Sequence, residues 1–335
     1  MTVFTLQWSH GEAVVLTTAA VLADCRFDLP AGPFRPYARA PWMGTVDDPA
    51  IIGHLRELGG DFACVPFGTG PADPVGPPEW ASLMSDPPYR PVHGLAGDEE
   101  WQLVSYSRSS VTLALPYPQT SIVERLERTV TGRDGAAALD SWLTIYPRRS
   151  GKLSVGLHPI LRLPEQPGRL KLQADFAFGL VHPRFVQAGQ QQEFAELNAV
   201  PFDGKVIDIS HVPVGRPNVS VQLCGMKGPL RAVFLDEGAE LELDWDRDIL
   251  PSLQIWCTDR GIQGAPWQGQ YRGIGVEPIA SAFDLHTALS ARENPINRRG
   301  IPTAVELVSG IPLVIRHSVL AHPVQANGGA TSREA

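Results

Sequence analysis

Three short phrases place titratable side chains beside residues that restrict or free the backbone: His93-Gly94 ahead of Trp101, His158-Pro159, and Glu277-Pro278. Two imidazoles and one carboxylate are a general acid/base set, since an ionised carboxylate accepts a proton and an imidazolium delivers one near neutral pH. Gly94 permits positive φ and a close approach of backbone to a ligand, so His93 can hang over a concave face. Pro159 biases His158 towards an extended conformation and removes one backbone donor, which gives the imidazole a fixed direction at a strand end. Glu277 follows the small and aliphatic run Gly273-Ile274-Gly275-Val276, where an unpaired carboxylate is costly. It therefore needs a partner, a substrate or a raised pKa. Each group also has a plainer reading: His93 bonding backbone at a loop entry, His158 as a sheet-edge histidine, Glu277 paired with Arg272.

The elements that must hold these groups read as strands. Of 335 residues 43% are hydrophobic and 19% charged, enough for a sizeable core, and 32 Gly with 31 Pro punctuate the chain. Between the breaks lie β-branched or alternating runs at 101–106, 111–115, 122–130, 139–146, 152–157, 170–176, 219–223, 230–235, 239–245 and 253–258. Short strands separated by turn chemistry over this length indicate an all-β sandwich or barrel. Two short helices are expected, one at Pro49–Leu58 between Asp47-Asp48 and Gly59-Gly60, the other at Ala282–Glu293. There is no internal repeat, and no linker divides residues 1–324, which are expected to form one domain. The small, polar tail 325–335 is expected to be disordered.

Composition also excludes. A net charge of −8 speaks against nucleic-acid binding, which needs clustered Lys and Arg, while leaving room for a phosphorylated small molecule held by one or two Arg. Cys25, Cys64, Cys224 and Cys257 form no CxxC pair and are expected to be buried apolar groups in a reducing compartment. The 13–23 stretch is too weakly apolar, and too poorly flanked, for a signal peptide or membrane span, so no membrane partner and a cytoplasmic location are expected. There is no dinucleotide fingerprint, phosphate loop, nucleophile elbow or HExxH, so no cofactor is expected. No metal is expected either. The acidic run from Asp236 to Asp248 alternates with apolar residues as the solvent face of a strand would, and His317 and His322 read as structural.

The order and wording of the phrases resemble the aldose 1-epimerase (galactose mutarotase-like) superfamily. Asp61-Phe62-Ala63-Cys64-Val65-Pro66-Phe67-Gly68, Asp208-Ile209-Ser210, Pro251–Trp256 and Phe283-Asp284 add to the likeness, which spans roughly residues 10 to 320. The resemblance implies a large antiparallel β-sandwich, the supersandwich, with its site on a concave sheet. It also implies a monosaccharide substrate whose hemiacetal ring opens by acid/base chemistry without a cofactor. Glu277 would then be the base, His158 the acid, and His93 the group that binds or polarises the ring oxygen.

The sequence departs from the family's pattern in three places. The turn Pro66-Phe67-Gly68-Thr69-Gly70 lacks the family's substrate-contacting Arg, for which Arg39 and Arg90 are the substitutes considered. Asp208 and Asp246 are the candidates for its sugar-contacting Asp. Ile160 stands where an aromatic residue is usual. Among Trp42, Trp101, Trp256 and Trp267, the loop residue Trp267 is the best candidate for stacking on a sugar. Two other readings remain: a hexose-phosphate mutarotase, which needs an Arg pair such as Arg39 with Arg272, and a carbohydrate-binding protein without catalysis. A polysaccharide lyase is disfavoured by the modest length and the lack of a helical domain.

Overall fold

Apolar and polar residues alternate along many segments, and each such segment is a strand with one face inward. Ala239–Trp245 buries Ala239, Leu241, Leu243 and Trp245. It turns Glu240, Glu242 and Asp244 to the outer face, beside Arg231, Arg247 and His322. The computed structural model describes residues 1–68, 74–84 and 91–324. Within them, two large antiparallel sheets face each other.

The nine-stranded sheet runs in the order His211–Val212, Leu170–Gln173, Leu230–Phe234, Ala239–Trp245, Leu313–Pro323, Ala138–Pro147, Val123–Gly132, Ser110–Pro116, Gln102–Tyr106. The eight-stranded sheet runs Glu193–Phe194, Phe176–Val181, Asn218–Met226, Ser252–Asp259, Arg272–Ala280, Val155–Leu157, Ala63–Cys64, with Ile160–Leu161 added against Arg272–Ala280. A four-stranded sheet, Val3–Trp8, Gly11–Leu16, Leu22–Leu29 and Gly32–Phe34, packs beside them. The main core draws buried residues from Phe4 to Ala321, so it is built by the whole length of the described chain. This is the expected all-β antiparallel sandwich.

The central strands of the eight-stranded sheet break the alternation. Ser252–Asp259 and Arg272–Ala280 are buried at almost every position. One face meets the main core through Leu253, Ile255, Ile274 and Val276. The other faces a second cluster holding Ile279, Ile160, Tyr271 and Phe67, with Trp256 and Trp267 packed against it. A strand covered on both sides has no polar face to show in its sequence. Arg272–Ala280 is absent from the expected strands, as are the N-terminal sheet and Leu313–Pro323, whereas Ser252–Asp259, covered in the same way, is among them.

Both expected helices shrink. The first is only Gly53–Arg56, opening at Gly53 with φ 56° and no capping side chain. A Cβ at Gly53 would lie 2.3 Å from the Cα of Asp98, so close packing holds this left-handed residue and limits the helix. The second is Thr287–Ala291, begun by His286, whose ring accepts from the Ala288 N–H. All four cysteines are buried and unpaired. No helix among the described residues is long and apolar enough to cross a membrane. The 325–335 tail, Thr69-Gly70 and Arg90 lie outside the described residues.

Candidate active site

The site is assembled where the His158-Pro159 dipeptide bridges two segments. The His158 N–H donates to Phe62 O at 2.8 Å and the Ile160 N–H to Gly60 O at 2.7 Å, while the Pro159 carbonyl accepts from Val276 N–H at 2.9 Å. Extended backbone before a proline suits this pinning between the Gly60–Phe62 segment and the Arg272–Ala280 strand. The His158 ring then stacks on Phe62, centroids 4.6 Å apart and planes 13° from parallel.

Glu277 comes from the middle of that strand, opposite Gln254 in register. Its carboxyl is 1% exposed, and neither oxygen has a hydrogen-bond partner. Oε1 lies 3.4 Å from His158 Nε2. Gly275, two residues back on the same face, makes the room: a Cβ there would come 2.1 Å from Oε1. Arg272 does not serve Glu277. It pairs with Asp259 at 2.7 Å and Glu165 at 2.8 Å. Burial, with Asp284 nearby, pushes the Glu277 carboxyl well above the usual carboxylate range. Burial and the neighbouring His54 push His158 down to about 3. Both groups thus lean towards neutral forms, where the residue types alone suggested a carboxylate and an imidazolium.

His93 sits in the left-handed region, φ 59°, followed by Gly94 at 78°. A Cβ on Gly94 would lie 2.1 Å from Val65 O, so glycine is what lets this turn close on the sheet. Nδ1 of His93 accepts from the Gly68 N–H at 3.4 Å, which leaves its proton on Nε2. Burial and the adjacent imidazoles of His158 and His54 hold His93 well below the usual histidine value. Its ring meets His158 edge-on at 5.2 Å.

These groups line a cavity of about 700 Å³. Trp256 and Trp267 form an aromatic wall, backed by Trp42 and Tyr271 at 5.2 Å from Trp267. Trp267 lines the cavity. Trp42 stands one layer behind, and Trp101 belongs to the main core, its Nε1–H donating to Ala96 O. Arg39 is exposed, opposite Gly59, and does not line the cavity. Asp208 is exposed and bound to Ser210 and His211, and Asp246 accepts from the Arg316 N–H; neither reaches the cavity.

The structure adds four polar lining residues to which the sequence reading gave no role: His54, Asp98, Gln254 and Asp284. Asp284 accepts from Nε2 of His182 at 2.7 Å, and His182 is fixed in that tautomer because its Nδ1 accepts from the Arg184 N–H. Withdrawal from water would raise the Asp284 pKa, but His182 and Arg184 hold it well below the usual carboxylate range. The Phe283-Asp284 phrase was the one available signal for this residue. His54 lies inside the expected short helix Pro49–Leu58, where nothing sets it apart.

No protein-family model and no curated protein sequence matches the chain. Solved structures do. A crystal structure of a candidate aldose 1-epimerase from Escherichia coli K12 superposes with a TM-score of 0.65 at 17% identity, over 96% of this chain and 99% of that one. The GalM/aldose epimerase homologue from C. elegans gives 0.64 at 15%, over 96% and 100%. A galactose mutarotase-like protein from Lactobacillus casei gives 0.61 at 15%, over the same shares. Together with the sheet order above, these likenesses show that the chain has the galactose mutarotase-like fold.

Proposed function

We propose that the protein is an aldose 1-epimerase, interconverting the α and β anomers of a free aldose by acid/base ring opening. The carrying observation is the 3.4 Å contact between His158 Nε2 and the otherwise unpartnered, buried carboxyl of Glu277 in the cavity lining. The reacting oxygens O1 and O5 are both bonded to C1, so the base for one and the acid for the other must stand close together. Removing the O1 proton lets that electron pair form the C1 carbonyl. The C1–O5 pair leaves with O5, which takes a proton. Rotation about C1–C2 and the reverse sequence give the other anomer.

The pair's proton count suits this step. A neutral Glu277 carboxyl beside a neutral His158 holds one proton, as does a carboxylate beside an imidazolium. Transfer of that proton across the 3.4 Å contact makes Glu277 the base and His158 the acid, the roles the resemblance implies. His93 offers its Nε2–H as a donor to the ring oxygen. Trp256 and Trp267 give the apolar wall on which a sugar face packs. Among the described residues, the lining carries Asp98, Asp284 and Glu277 but no lysine or arginine, which supports a sugar without a phosphate.

Polarimetry of freshly dissolved α-glucose, α-galactose and other aldoses tests the reading. Faster approach to anomeric equilibrium with the wild-type protein, lost in both Glu277→Gln and His158→Ala, is the expected result. No acceleration with any free aldose would overturn it in favour of a binding role or a phosphorylated substrate.

A further inference from the structure

The cavity holds a third imidazole that the ring-opening chemistry does not use. His54 Nδ1 lies 3.0 Å from Gly97 O, so it must donate there, and Asp98 Oδ1 is 3.2 Å from the same nitrogen. The ring stacks on Phe62, centroids 4.9 Å apart, the same phenyl ring that carries His158. It also meets His93 edge-on at 5.5 Å. Two partners on one nitrogen and two ring contacts leave the imidazole with a single orientation. Nε2 is then the free end, and the residue lines the cavity. In neutral imidazole with Nδ1 protonated, Nε2 is an acceptor.

We infer that His54 is a substrate-contact residue, whose Nε2 accepts a hydrogen bond from one hydroxyl of the aldose and so selects for that hydroxyl's presence and configuration. Three arguments support the assignment. A histidine held by a carbonyl and a carboxylate on one nitrogen, as His54 is by Gly97 O and Asp98 Oδ1, presents the other as a directed acceptor. The lining otherwise offers His93 Nε2–H as a donor, and the carboxyl groups and the unpartnered Gln254 Oε1 as acceptors, so His54 Nε2 adds an acceptor at a different point of the wall without adding a carboxylate. And Arg39 does not reach the cavity, so hydroxyl recognition falls to the residues that do. The loss of one hydroxyl then leaves a buried polar atom unpaired, which is how a hydrogen-bonding site rejects analogues.

This inference rests on the cavity being a sugar site, and the experiment separates the two claims. Binding of an aldose and its singly deoxygenated analogues (2-, 3-, 4- and 6-deoxy) is read by ligand-observed NMR, alongside mutarotation rates, for wild type, His54→Phe and His54→Gln. Phe keeps the stack on Phe62 and lacks the acceptor, whereas Gln restores a carbonyl oxygen. Expected is an affinity loss of about threefold to tenfold in His54→Phe, the worth of one hydrogen bond between neutral groups. It should appear in the binding affinity, be partly rescued in His54→Gln, and vanish for the one analogue lacking the partner hydroxyl. Equal affinity of wild type and His54→Phe for the parent sugar, or a loss of the same size for every analogue, would overturn the role of His54. Binding without accelerated mutarotation would overturn the epimerase reading alone, and absence of binding to any aldose would overturn both.

Discussion

Two carboxyl groups are buried in this molecule to nearly the same degree, Asp61 at 0% and Glu277 at 1% exposure, and they end in opposite states. Asp61 faces a fully buried guanidinium: Arg128 Nη2 lies 2.5 Å from Oδ2, and Nη1 donates to the carbonyls of Ala20 and Asp61. His317 Nε2 adds a second contact at 3.2 Å. Burial would raise the Asp61 pKa, but Arg128 and His317 overcome it and hold the group below the usual range. Glu277 has the same desolvation and no cation, so its pKa moves up. A compensated buried charge ties elements together: Asp61 stands on the segment that carries Phe62, Arg128 and His317 on two strands of the opposite sheet. An uncompensated carboxyl at a cavity is poised to exchange a proton. Charge compensation, rather than depth, separates scaffold from chemistry here.

The comparison breaks most visibly through activity. Glu277→Gln is expected to lower mutarotation about 10²- to 10⁴-fold, the usual contribution of a general acid/base group, with the melting temperature unchanged or raised. A variant as active as wild type would remove Glu277 from the chemistry. Arg128→Met makes the converse change, removing the guanidinium from Asp61 and leaving it His317 in the core. It should cost about 3–5 kcal/mol of stability in urea unfolding, as expected for a broken buried ion pair. A loss below about 1 kcal/mol, the range of an exposed pair, would mean that Asp61 does not depend on Arg128.

The titration of the two groups sharpens the contrast. Asp61, its pKa lowered on folding, contributes stability at neutral pH that is lost as pH falls through its folded value. Glu277 is the reverse: raised from about 4.5, it favours the fold at low pH, and that advantage is lost as pH rises from 4.5 towards its folded value. His158, lowered from 6.5 to about 3, works against the fold increasingly as pH falls through that window. Between pH 4.5 and 6.5 the Glu277 and His158 slopes therefore oppose each other. In Glu277→Gln only the His158 slope remains, so the variant's melting temperature should gain on wild type steadily as pH rises from 4.5. Parallel pH curves would mean that Glu277 ionises normally in the folded protein.

The same contrast explains what could be read from the chain. Alternation or β-branched content marked strands such as Ala239–Trp245 in the nine-stranded sheet and Ser252–Asp259 in the eight-stranded one, but not Val3–Trp8 or Leu313–Pro323. It failed for Arg272–Ala280, where Gly273, Gly275 and Pro278 interrupt the β-branched run, yet this strand carries Glu277. His93, His158 and Glu277 were legible because each stands beside a Gly or Pro that marks a backbone constraint. Arg128 and His317 carry no such punctuation, and they meet Asp61 only through folding across 67 and 256 residues of sequence. His54 was hidden by a helical pattern of which only Gly53–Arg56 became helix. Arg39 was a candidate by type and Asp208 by type and the Asp208-Ile209-Ser210 phrase, and nothing in their neighbours forces either side chain towards the cavity.

Trp267 offers the finest test, since it lies on the boundary between scaffold and site. Its ring packs edge-on against Trp42, Trp256 and Tyr271 at 5.2–5.9 Å while also lining the cavity. If its work is sugar contact, Trp267→Ala raises KM about twofold to tenfold, the range of one aromatic contact, and leaves kcat within error. Stacking on an unreactive sugar face is felt equally in ground and transition states, so it belongs in KM. If its work is to hold the Trp42–Trp256–Tyr271 group in place, the melting temperature falls and kcat falls with it, because Trp256 also stands edge-on to His158. Steady-state mutarotation kinetics and a thermal melt on this one variant therefore place the residue on one side of the line that divides Glu277 from Asp61.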